Sequence, residues 1–257
     1  MPDIDVLTLV LLLVAALSAG WVDAVVGGGG LIQLPVLMLA PGITPLQALA
    51  TNKFASMMGT AVATATYTRR IRPDFRVALP LAVMALLGAV IGAMLATLIP
   101  AEAFDPIILA VLLVVGAFTV FKPQLGVHTK QRWTGWRHVV ASAAIGLAVG
   151  TYDGALGPGT GSFFVILIVS VLGFAFMQAT AFAKIANLCT NIGALMFFIP
   201  AGHVLWGLGL TMGAANLVGG YIGARMALSK GSRFVRVVFI VVVLALSIKI
   251  AWDMIAG

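Results

Sequence analysis

Charge is what this sequence lacks most. Charged side chains make up 9% of its 257 residues and hydrophobic ones 61%, whereas soluble domains carry about 25% charged residues. With a mean hydropathy of +1.13, that scarcity excludes a water-soluble globular domain and leaves a polytopic membrane protein. Acids are scarcer than bases, 8 against 15. The basic excess is not a nucleic-acid footprint, because it is confined to short loops between apolar runs, as membrane topology requires. The single cysteine, Cys189, lies in an apolar run, which excludes an intrachain disulfide and leaves packing as its role. Of the three histidines, His128 and His138 fall in a basic loop and His203 in a turn. Solvated or interfacial histidines are expected there, and no helix core holds one. An intramembrane enzyme would therefore lack its usual dyads, and no metal or cofactor is expected. No Lys or Arg precedes the first apolar run, so that run does not read as a cleavable signal peptide and is expected to stay in the protein.

What the sequence does contain is a repetition. Gln47-Ala-Leu-Ala-Thr-Asn-Lys53 is answered by Gln178-Ala-Thr-Ala-Phe-Ala-Lys184, each placing a Lys six residues after a Gln inside an apolar run. Upstream, Asp23 precedes Gly27-Gly-Gly-Gly30 as Asp153 precedes Gly157-Pro-Gly159-Thr-Gly161. The offset is 130 residues at the Asp (23 to 153) and 131 at the Lys (53 to 184). The expectation is an all-α integral membrane protein of two inverted-topology repeats. Their Gly-broken, half or re-entrant helices would meet near the bilayer midplane.

The first repeat covers 1–125, with Gly-broken segments over 6–40 and helices over 45–67, 77–98 and 105–121. A basic loop over 126–138 is read as cytoplasmic. The second repeat, 139–257, has Gly-broken segments over 139–172 and helices over 176–199, 204–224 and 237–255. Four glycines in a row do not sustain a helix, Gly being poorer than Ala by about 1 kcal/mol per position. Thr44-Pro45-Leu-Gln47 reads as a helix start, with a Thr cap, Pro at the first helical position and Gln closing a capping box. Twelve of the fifteen basic residues fall in three loops, around Arg69–Arg76, Lys122–Arg137 and Arg225–Arg236. These loops are assigned to the inside. The Lys53 helix then crosses from out to in and the Lys184 helix from in to out, with both termini outside. Hairpins and paired crossings in the Gly-broken segments give the same parity.

A Lys at the bilayer centre costs about 2.5–3.5 kcal/mol, so it faces a partner or a wet cavity. Asn52, Ser56 and Thr60 accompany Lys53, and Thr180, Asn187 and Asn191 accompany Lys184, mostly at spacings that share a helix face. The breaks add backbone N–H groups at helix starts, from Gly28, Gly29 and Gly30 and from Gly159, Thr160 and Gly161, which with the helix dipole favour an anion. These groups together are the expected oxyanion site. Alternatively, Lys53 and Lys184 pair with Asp23 and Asp153 and hold the repeats together. A carboxylate 4 Å from an oxyanion repels it by about 4 kcal/mol at an effective dielectric near 20. Asp23 and Asp153, with Gln47 and Gln178, are therefore expected to organise the breaks or serve coupling rather than to touch the anion. Protons are a candidate coupling ion, since intramembrane ionisable residues form proton relays.

Five ordered motifs carry a resemblance: Asp23-Ala-Val-Val-Gly-Gly-Gly-Gly-Leu-Ile-Gln-Leu-Pro35, Ala48-Leu-Ala-Thr-Asn-Lys53, Tyr152-Asp-Gly-Ala-Leu-Gly-Pro-Gly-Thr-Gly-Ser-Phe163, Ala179-Thr-Ala-Phe-Ala-Lys184 and Ile222-Gly-Ala-Arg-Met226. Over nearly the whole chain they resemble the TauE/SafE sulfite exporter family, and most of all its YfcA-type branch. The resemblance implies a multi-pass transporter of the bacterial inner membrane. Its expected substrate is a small sulfur-containing anion such as sulfite, thiosulfate or a short organosulfonate, often exported. A homo-oligomer is compatible with it. Pro158 and Thr160 stand where the first break has glycines, so the two half-sites are not expected to be equivalent.

Overall fold

The computed structural model describes residues 5–100, 102–104, 106–107, 110, 133 and 135–256. The described part is helical: α1 (Val6–Val26), α2 (Gly30–Met38), α3 (Pro45–Ile71), α4 (Phe75–Ala96), α5 (Trp136–Ala155), α6 (Thr160–Leu167), α7 (Phe176–Phe198) and α8 (Trp206–Ala256). Most of the helix expected over 105–121, and the basic loop up to residue 132, lie outside the described residues. Three described helices are long and apolar enough to cross a membrane: α1, α4 and α7, with mean hydropathies of 2.3, 2.4 and 1.4. Their outward stripes, Val6, Val10 and Val14 on α1 and Leu79, Val83, Leu87 and Ile91 on α4, are exposed apolar side chains at helical spacing, suited to lipid.

Local sequence accounts for several helix ends. The Thr44 hydroxyl accepts from Gln47 N at 3.3 Å, Thr44 N donates to Gln47 Oε1 at 3.1 Å, and Pro45 opens α3 where no N–H is needed. Asp74 caps α4 by accepting from Arg76 N at 2.9 Å. At the end of α1, Gly27 takes a left-handed conformation, φ 82°, and its N–H closes on Asp23 O at 2.8 Å.

Two features differ from expectation. The basic stretch Arg225–Arg236 is not an extended loop: helix runs on either side of one break at Gly231, φ 73° and ψ −172°. A single non-helical glycine redirects the chain there, and charge spacing alone does not distinguish a kink from a loop. His138 is 7% exposed in the first turn of α5, not a solvated loop residue. Its Nδ1 lies 3.1 Å from Trp133 O and its ring packs edge-on to Phe174.

In the packing α1 lies along α8, α5 along α4, and α3 against α7. Glycine allows the close approach. A Cβ at Gly146, Gly150 or Gly154 of α5 would lie 2.1–2.3 Å from the carbonyl oxygen of Leu81, Ala85 or Ala89 of α4. Gly219 and Gly223 of α8 meet Leu17 O and Trp21 O of α1 in the same way, at 2.0 and 2.5 Å. Among membrane helices, where the hydrophobic effect does not drive association, such small-residue contact is a main source of packing energy.

Candidate functional site

The site lies where the two breaks meet. A Cβ at Gly27 would be 2.4 Å from Gly161 C, and one at Gly161 would be 2.5 Å from Gly27 Cα, so the broken segments cross backbone to backbone. Ser162 fastens the crossing: its N–H donates to Gly27 O at 3.2 Å and its hydroxyl to Val26 O at 3.0 Å. α3 and α7 pass this crossing in opposite directions. Thr64 donates to Lys184 O at 3.0 Å, and toward the other end Leu49 shares an apolar cluster with Ala194 and Leu195.

Both central lysines are buried, and each is ion-paired across the halves. Lys53 Nζ lies 2.7 Å from Asp153 Oδ2, with both side chains 2% exposed. Lys184 Nζ lies 3.0 Å from Asp23 Oδ2 and donates to the Asp23 main-chain carbonyl as well. Thr60 donates to Asp23 Oδ2 at 3.4 Å, and Thr160 to Asp153 Oδ1 at 2.5 Å. The Lys184–Asp23 pair is therefore level with Thr60, seven residues beyond Lys53 on α3, or about 10 Å of helix rise. The pairing weighed as an alternative to anion binding is thus what the structure contains. Each acid serves the lysine of the other half.

Between the pairs is a cavity of about 20 Å³, room for about one water. Its lining contains Lys53, Asn52 and Ser56 from α3, Asn187 and Asn191 from α7, both acids, Gly30, Gly159, Thr160 and Gly161. Two buried amide atoms, Asn52 Oδ1 and Asn191 Nδ2, have no hydrogen-bond partner. Buried polar atoms are usually satisfied, so such exceptions mark a place built for something else.

Several expected site residues sit elsewhere. Lys184 does not line the cavity, because Asp23 engages it through both its carboxylate and its backbone. Gly28 and Gly29 are outside the lining, Gly28 next to Leu31 and Val22 side chains and Gly29 against Ala19 O and Asp23 Cβ. Gln47 is a helix cap, and Gln178 is exposed in the first turn of α7. Conversely, Gly27 and Gly157 line the cavity, although the sequence marked them only as signposts of the repeat. Gly157 has φ 93°, and a Cβ there would be 3.0 Å from Lys53 Nζ. Its spacing from Asp153 was the available signal; its nearness to Lys53 depends on how the halves cross.

A helical membrane protein with a charged, interhelical site at the crossing of two broken segments has the build of a membrane transporter. Comparison with known proteins makes the class specific. The chain belongs to the sulfite exporter TauE/SafE family, whose model matches residues 12–250. It is 38% identical over 254 residues to the "Probable membrane transporter protein ORF9" of Sinorhizobium sp, covering 98% of this chain and 96% of that protein. It is 35% identical over 248 residues to the "Probable membrane transporter protein YfcA" of Escherichia coli (strain K12), covering 96% and 91%. A "Probable membrane transporter protein" of Haemophilus influenzae is 31% identical over 252 residues, covering 98% and 97%. No solved structure matches the chain.

Proposed function

We propose that this protein is a secondary transporter, working in export, for a small sulfur-containing anion such as sulfite, thiosulfate or a short organosulfonate, bound at the cavity beside Lys53. The observation that carries the reading is the polar lining around that ammonium. Asn52, Ser56, Asn187 and Asn191 exceed what a Lys–Asp pair needs, and the Asn191 Nδ2 donor is buried and unpartnered. An ammonium with convergent amide, hydroxyl and backbone donors suits a small oxyanion. Lys184, locked on Asp23, holds the inner edge of the site rather than contacting the anion. The sulfur chemistry follows the family description. A cavity this small favours a carrier that must rearrange around its cargo over an open channel.

The same reading makes the halves inverted repeats in the bacterial inner membrane. The basic end of α3 and the basic stretch around the Gly231 break of α8 lie inside, and both termini outside. Protons are the coupling ion. Calorimetric titration of the purified protein with sulfite, thiosulfate, sulfate, taurine and sulfoacetate tests the substrate class. Saturable binding of at least one sulfur oxyanion, weakened about 10- to 100-fold in Lys53→Gln, is expected. Failure of all five to bind would overturn the reading.

A further inference from the structure

We propose that Asp153 is the proton carrier of this site: an anion that takes over the Lys53 ammonium displaces the Asp153 carboxylate, which takes up one proton, so that anion and proton move together. The inference rests on the cavity being the anion site.

Geometry supplies the competition. Among the described residues, the ammonium that faces the cavity is that of Lys53, and it is already held by Asp153 Oδ2 at 2.7 Å. The space beside it admits about one water. An oxyanion of four or more heavy atoms does not fit next to the intact pair and must part it. The carboxylate left behind has its side chain 2% exposed. A buried charge without its partner is strongly unfavourable, and a carboxylate so placed relieves this by protonation.

The surroundings of Asp153 accept that change. Oδ1 takes the Thr160 hydroxyl at 2.5 Å, and the same hydroxyl has a second acceptor, Gly157 O, at 2.8 Å. Thr160 therefore has somewhere to turn when the carboxylate becomes an acid. Oδ2 faces the Lys53 ammonium at 2.7 Å, and once that ammonium has gone to the anion it is the oxygen open to the proton. Once protonated it is a donor, available to the anion that has taken its place on Lys53.

The charged and titratable groups around Asp153 agree. α3 presents Lys53, and α1 presents Asp23 on the same cavity, a second carboxylate that disfavours two negative charges there. On its own helix Tyr152 is committed, its hydroxyl donating to Pro158 O at 2.5 Å. α7 brings the uncharged Asn187 and Asn191 to the cavity, while its Lys184 stays on Asp23. Asp23 is a poorer carrier, because Lys184 is outside the cavity and keeps the Asp23 backbone carbonyl as a second hold.

The proton is accounted for. Lys53 and Asp153 sum to zero before binding; ammonium and carboxylic acid sum to +1, against which a monoanion leaves zero and a dianion such as thiosulfate or sulfoacetate leaves −1. The proton comes from water on the side to which the site opens, and no bond to sulfur is made or broken.

Calorimetric titration of the full-length protein in nanodiscs tests this, with thiosulfate and sulfoacetate as probes because neither titrates at mildly alkaline pH. Repeating each titration in two buffers of different ionisation enthalpy counts protons taken up per anion. About one is expected, with affinity falling about tenfold per pH unit as pH rises through that range. Asp153→Asn, a neutral stand-in for the acid, is expected to bind with no proton uptake and no pH dependence. Binding without proton uptake by the unmodified protein overturns the assignment even if the variant fails to fold, and so does undiminished uptake by Asp153→Asn. Either result leaves the cavity as an anion site. If neither probe binds, this inference falls, and if sulfite, sulfate and taurine fail as well the reading of the cavity falls with it.

Discussion

At the scale of residues, the two lysines occupy matching positions in sequence but different surroundings in space. Lys53 faces the cavity and has one anionic partner, whereas Lys184 is outside it and clamps both the backbone and the carboxylate of Asp23. Removing them should therefore do different things. Lys53→Gln is expected to weaken anion binding about 10- to 100-fold, the worth of a hydrogen bond to a charged group. Lys53→Arg should rescue poorly, because a planar fork does not replace a compact ammonium. Lys184→Gln leaves the half-buried Asp23 without its partner and should cost about 1–3 kcal/mol of stability, read from unfolding midpoints in detergent. A Lys184→Gln protein as stable as the unmodified one but unable to bind would instead make Lys184 a ligand. Sequence spacing found both lysines and both acids, since a charge inside an apolar run stands out. It gave no indication of which acid serves which lysine, because those partners are 100 and 161 positions apart.

At the scale of elements, the glycines do two jobs that look alike in sequence. Gly161 meets the Gly27 backbone, and a Cβ there would come within 2.5 Å of Gly27 Cα with no flexible side chain to yield. Gly28, in the same run as Gly27, would place its Cβ no closer than 3.4 Å, against the tip of Leu31. Gly161→Ala should thus cost about 1–3 kcal/mol through overpacking, and Gly28→Ala well under 1 kcal/mol. Thermal unfolding of the two variants side by side is the check, and equal midpoints would mean that the crossing is not tightly packed. The capping box at Thr44, Pro45 and Gln47 was legible because it is local, involving three residues within one turn. The kink at Gly231 was not, since a basic, glycine-containing stretch reads equally as a loop.

At the scale of the whole molecule, the proposed sidedness makes a direct prediction. With Cys189 replaced by Ser, single cysteines at Arg70 and Lys230 should react with a membrane-impermeant thiol reagent only from the cytoplasm. Cysteines at Leu98 and Ala201 should react only from outside. Labelling of either pair from the opposite face would reverse the scheme. Class and approximate helix positions were determined by the sequence alone, because hydropathy and capping act over one helix or less. The repetition of Asp, Gly and Lys motifs likewise marked out most of the residues that line the cavity. Only the tertiary structure decided that the acids pair crosswise between the halves, that Gly27 and Gly157 join the cavity, and that Lys184 is withdrawn from it. Those outcomes depend on how closely two broken segments cross. That approach is set by backbone contact at Gly27 and Gly161, between residues 134 positions apart (27 to 161), and no local pattern encodes it.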